Sequence, residues 1–101
     1  MQKYNSKFKS DLIARCYRFS LKLIEFINSL PKSGVSRILA EQLIRSGTSI
    51  GANLVEARAS SSRLEFKRFH EISLKSANET KYWLGLIRDS KIGNRERANL
   101  L

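Results

Sequence analysis

The chain has 101 residues, with 19 Lys and Arg against nine Asp and Glu, for a net charge of +10. That length supports one domain whose core buries roughly 60–70% of the unfolded surface, and one proline with five glycines suits long helices joined by short turns. A single cysteine excludes an intrachain disulfide and fits a reducing cytoplasm, no apolar run reaches the roughly 18 residues of a membrane span, and nothing resembles a signal peptide.

Residues 1–9 are basic and without a clear period, which predicts a loose arm. Ser10 and Asp11 suit a helix start. Leu12, Cys16, Phe19, Leu23, Phe26 and Leu30 then recur at alternating steps of four and three, a coiled-coil-like seam. Ile13, Tyr17, Ile24 and Ile27 widen it, so a first helix is expected at about 10–30. Arg15, Arg18 and Lys22 line another side of that helix, either solvated or facing phosphates. Pro31-Lys32-Ser33-Gly34 ends it.

A second helix is expected at about 36–60. Its stretch 42–56 has the composition of a helix interior, yet carries no charge from 46 to 55. Gln42, Arg45, Ser49, Asn53 and Glu56 fall on one narrow face. Beside them runs an apolar stripe of Leu39, Leu43, Ser46, Ile50, Leu54 and Ala57. A helix with so little charge has packing partners on more than one side. Gly47 and Gly51, spaced as GxxxG, allow close helix packing or a subunit interface, because a helical glycine costs up to about 1 kcal/mol relative to alanine unless close approach offsets it.

Ser60-Ser61-Ser62 reads as a turn, and Ser62-Arg63-Leu64-Glu65 as a capping box opening a third helix at about 62–91. Ile92-Gly93 is its expected stop. The inner face, Phe66, Phe69, Ser73, Ser76, Ala77, Thr80, Leu84 and Ile87, is bulky at both ends and small in the middle. Folding back at Ser61 sets that middle against the small middle of the second helix and brings Arg45 close to 77–79. Glu79 is therefore its expected partner, and the polar stripe is expected to form a buried network with Ser76 and Glu79. Asn94 can cap a fourth helix over 94–101, either short or cut off at Leu101.

The residues offer little for catalysis. His70 is the only histidine, Cys16 lies on a core seam, and nothing supplies the three or four spaced ligands of a zinc site. No glycine-rich phosphate loop follows a strand. Arg63 and His70 match the loose Arg–His spacing of the all-helical HEPN ribonucleases, a pattern that any arginine-rich helix with one histidine can meet by chance. Tyr17, Phe19, Phe26, Phe66, Phe69 and Trp83 sit at core spacing, so core packing is expected of them in preference to base stacking. Tyr4, Phe8 and Tyr82 are left as exposed rings.

The run Gln42-Leu43-Ile44-Arg45, then Ser49-Ile50, Asn53 and Glu56, followed by Phe66, Ser76 and Glu79, resembles the four-helix-bundle family encoded within intervening sequences of bacterial 23S rRNA genes. The likeness covers roughly residues 8–93. It implies an up-down-up-down bundle assembled as a homopentamer with a basic surface or channel, similar to the nucleic-acid-binding accessory variability protein of diversity-generating retroelements. The chain departs from the family at Ala57, where glycine is common, and in its short fourth helix.

Together these features predict an all-α fold, an antiparallel up-down four-helix bundle with a short or truncated fourth helix, forming one domain over 1–101. The expected function is a non-enzymatic, cytoplasmic homo-oligomer that binds RNA or DNA by backbone electrostatics through Arg15, Arg18, Lys22, Arg63, Lys67 and Arg68. A protein–protein assembly module is the alternative, and an HEPN-like ribonuclease stands behind it. Gln42, Arg45, Ser49, Asn53, Glu56, Ser76 and Glu79 are read as structural. No cofactor, metal or membrane partner is expected.

Overall fold

Several helix ends are marked by side-chain caps or by backbone geometry. A computed structural model describes residues 12–32 and 34–92. Helix α1, Leu12–Asn28, closes in a tightened turn: the Ser29 and Leu30 amides donate to the Phe26 and Ile27 carbonyls, each at 3.0 Å. Pro31, which has no amide proton, follows.

Helix α2, Gly34–Ala59, begins on a glycine with φ of 61°, a left-handed conformation that side-chain-bearing residues seldom adopt. Helix α3, Arg63–Asp89, opens on Ser62, whose Oγ accepts from the Glu65 amide at 3.1 Å. Glu65 reaches back to the amide of Ser61, also at 3.1 Å, one residue before the position a capping box would use. At the other end Ser90 caps the helix, and Lys91 takes the left-handed conformation at φ 62°. The stop therefore comes before the expected Ile92-Gly93, and Gly93 lies outside the described residues.

Helix α2 lies between the other two and packs on both, more extensively on α3. Leu23, Phe26 and Leu30 meet Leu39, Leu43 and Ile87 in the core, with Phe19, Ile27, Ala40, Ile44, Trp83, Leu84 and Ile92 around them. This cluster sits where α1 ends, α2 begins and α3 ends, so consecutive helices run antiparallel. The amphipathic spacing of α1 explains its share: Leu23 and Phe26 are buried, whereas Arg15, Arg18 and Lys22 are exposed. The seam is interrupted at its start, because Leu12 is exposed.

The expectation of a four-helix bundle requires correction. The fold is all-α, but the described residues form three helices in sequence, and 94–101, where a short fourth helix was expected, lies outside them. The expected helix start at Ser10 and Asp11 and the basic arm at 1–9 also fall outside.

Candidate functional site

Helix α2 presents two chemically different sides. Toward α3 it offers small hydroxyl residues, and α3 answers with the same kind. Thr80 Oγ1 lies 3.0 Å from Ser46 Oγ and 2.7 Å from the Ser76 carbonyl. Ser76 Oγ donates to Ser49 Oγ at 3.0 Å, and Asn53 Nδ2 donates to the same Ser49 oxygen at 2.8 Å. One turn further along, Ser73 Oγ donates to the Ile50 carbonyl at 2.9 Å. Among the described residues no buried side-chain nitrogen or oxygen lacks a partner. Such complete pairing offsets the desolvation penalty of polar groups that enter a core.

At the rim of this ladder stands the ion pair expected from the fold-back at Ser61. Arg45 Nη2 donates to Glu79 Oε2. Gln42 Oε1 accepts from Arg45 Nε at 3.3 Å and Nη2 at 3.0 Å, steadying the guanidinium from within its own helix. The Trp83 indole donates to the same Glu79 oxygen at 2.8 Å. That indole bond first, and Arg45 second, hold the Glu79 carboxyl below its ordinary value of 4.5, against a smaller upward push from desolvation.

The expected buried network is corrected in one respect. The hydroxyls of Ser46, Ser73, Ser76 and Thr80 are buried, but the side chains of Arg45 and Glu79 are 56% and 35% exposed. Water therefore screens the charges, and breaking the pair strands no buried ion. Glu56 is exposed and stands apart from the seam. Trp83 was expected only as a core aromatic; its place four residues after Glu79 was the available signal for the indole–carboxylate bond.

Toward α1 the same helix offers glycine. A Cβ on Gly47 would run into the Leu23 side chain, and one on Gly51 would lie 3.0 Å from Cys16 Cβ. The close approach these glycines allow is thus to α1, not to the small middle of α3. Cys16 is half-buried in this contact; burial pushes its thiol up from 9.0, and Arg15 only partly opposes this. A raised thiol is a poor nucleophile.

All six basic residues assigned to nucleic-acid contact are exposed. Arg15, Arg18 and Lys22 share one face of α1. Arg63 and Lys67, four apart, share a face of α3, whereas Arg68 stands about 100° further round. The structure therefore offers two basic strips on the outer helices. Arg63 and His70, two turns apart, share a side of α3. No group of three or more His, Cys, Asp or Glu among the described residues is placed to hold a metal ion, and no helix there is long and apolar enough to cross a membrane.

Residues 9–101 match the family model of the 23S rRNA-intervening sequence protein. Among solved structures, the chain is similar to a protein of unknown function from the S23 ribosomal protein family of Bacteroides thetaiotaomicron. The two share 34% identity with a TM-score of 0.78, over 86% of this chain and 81% of that one. No curated protein matches.

Proposed function

Given that this chain belongs to the 23S rRNA-intervening sequence protein family, we propose that it is a non-enzymatic, homo-oligomeric helical protein that holds RNA or DNA by its phosphate backbone. The net charge of +10, displayed on α1 and α3 as exposed Arg15, Arg18, Lys22, Arg63 and Lys67, carries this reading. Cations spread along helix faces suit a polyanion, because each phosphate neutralised releases condensed counterions and adds affinity irrespective of sequence. The likeness to the accessory variability protein of diversity-generating retroelements belongs with this reading.

Self-association is supported by a second observation. On α2, Val35, Ile38, Gln42 and Arg45 follow one another at steps of three and four. On α3, Ile72, Lys75, Glu79, Tyr82 and Leu86 do the same, and the Arg45–Glu79 pair ties the two stripes side by side. Val35, Ile38 and Tyr82 are 64%, 58% and 63% exposed. Large apolar side chains gathered around a structured polar pair suit the centre of an interface between subunits.

Binding of a labelled DNA duplex, followed by anisotropy between about 50 and 200 mM salt, tests the electrostatic mechanism. Engagement of about four to six phosphates lowers affinity roughly 10²- to 10³-fold over that range. Affinity that stays constant rejects it. Light scattering of the same sample tests assembly, and a clean monomer rejects that part.

A further inference from the structure

Where α1 ends and α2 begins, the two helices leave a hollow of about 280 Å³ to which α3 contributes no wall. Ile27 and Leu30 border it from one side, and Ala40 and Ile44 from the other. These four are buried or half-buried, whereas Arg37 and Glu41, which also border it, are exposed and stand at its mouth. Stepping back along α1 from Ile27 by threes, Ile24 and Leu21 are both exposed, so apolar surface continues out of the hollow along this flank. The apolar stripe proposed to join subunits is on the other flank. Ile38 of that stripe and Ala40 of the hollow stand about 160° apart around α2. Each copy thus carries two separate apolar surfaces, one with projecting Tyr82, Val35 and Ile38 and one with a hollow.

Such a stripe can pair with its own copy about a two-fold axis or dock on a different surface of the next copy. Paired with itself, it leaves Leu21, Ile24 and the hollow bare in every copy. Docked on the opposite flank, it covers both surfaces with one kind of contact. The chemistry favours the second arrangement. A tyrosine that becomes buried needs apolar contact for its ring and a partner for its hydroxyl; the hollow offers Ile27, Ala40 and Ile44 for the first and the Glu41 carboxylate for the second. Copies with a net charge of +10 repel each other except where charge is absent or balanced. Arg45 is balanced by Glu79 on the stripe, and Arg37 and Glu41 at the hollow have opposite signs. We infer that the α2–α3 stripe of one copy docks on the α1–α2 flank of the next, with Tyr82 entering the hollow. This rests on the self-association proposed above and names the surface that receives the stripe. Because the two surfaces differ, every docked copy still offers one of them, and assembly continues past two copies.

The test uses variants that each spoil one surface: Tyr82→Glu on the stripe and Ile24→Glu on the α1–α2 flank. Mass is measured by light scattering after size exclusion, at high salt, which screens repulsion between copies and loosens any carried nucleic acid. The wild type is larger than a dimer, and each variant alone is a monomer. An equal mixture of the two yields a species of twice the monomer mass, because each variant keeps the surface that the other lacks. Circular dichroism checks that the helices persist; Leu86→Glu and Leu21→Glu replace, on their respective surfaces, a variant that loses them. Ile24→Glu that assembles like the wild type, a wild type that stops at a dimer, or a mixture that stays monomeric overturns the docking inference and leaves self-association standing. A monomeric wild type overturns the two readings together.

Discussion

The two interfaces of α2 solve one problem in opposite ways. Against α1 the helix removes its own side chains: Gly47 and Gly51 let Leu23, Phe19 and Cys16 settle onto bare backbone. Against α3 it keeps side chains but makes them small and polar, so that Ser46 and Ser49 interlock with Thr80 and Ser76 through hydrogen bonds, while Asn53 braces Ser49 from within α2. The first contact is governed by shape: an added carbon meets the Leu23 side chain at Gly47 and the backbone-fixed Cβ of Cys16 at Gly51. The second depends on matched donors and acceptors, and is sensitive to chemistry at nearly constant volume.

Substitutions that separate shape from chemistry sharpen this contrast. The largest effect is expected from Gly51→Ala. Its new Cβ meets Cys16 Cβ at 3.0 Å, an atom fixed to the α1 backbone, so α1 has to give by a few tenths of an ångström. Overpacking of this kind costs about 1–3 kcal/mol, less up to about 1 kcal/mol that alanine returns in helix propensity. With that return in full, urea denaturation should show a net loss of up to about 2 kcal/mol. Adding Cys16→Ala, which keeps the offending carbon, should leave that loss in place; full recovery would show that the sulfur is the obstacle.

Thr80→Val comes next. It preserves shape but deprives Ser46 of its cross-helix partner while leaving Ser46 the Leu43 carbonyl at 3.3 Å. A loss of about 1 kcal/mol is expected, the usual net worth of one hydrogen bond. Ser46→Ala in that background should cost less than it does alone, and strict additivity of the two would mean the ladder is not coupled.

Glu79→Gln should have the smallest effect at neutral pH, because water reaches the ion pair and screens it. Its signature is in the pH dependence. The folded carboxyl is held below its unfolded value, so its contribution is fully present above the unfolded value and disappears as pH falls through the folded one. The wild type should therefore lose more stability than Glu79→Gln across the acid range below about 4.5. Parallel acid profiles for the two proteins would remove Glu79 from the account of stability.

The helices and their order were legible because their signals are local. The seam ending at Leu30, the serine cap at 62 and the small middle of 73–80 each follow from spacing along one helix. The Arg45–Glu79 pair was legible for a related reason, since a tight turn between two long helices fixes which residues face each other. Orientation around α2 was not. A GxxxG pattern announces close approach without naming the neighbour, and only the packed structure assigns Gly47 and Gly51 to α1. Burial was equally hidden: Phe66 and Ser73 share one periodic face, but α1 and α3 leave a hollow around the first and α2 closes over the second. Periodicity gives the direction in which a side chain points; it does not say whether anything stands there.

The bond from Trp83 to Glu79 has a practical consequence. The sequence contains a single tryptophan, so its emission comes from one place: an indole hydrogen-bonded to the Arg45–Glu79 ion pair between α2 and α3, beside the exposed ring of Tyr82. That position is the margin between the hydroxyl ladder and the apolar stripes proposed to join subunits. The tryptophan emission of the unlabelled protein is thus a local gauge of that margin. A spectrum that changes with protein concentration reports contact between copies there, whereas one that changes with acid reports the carboxylate.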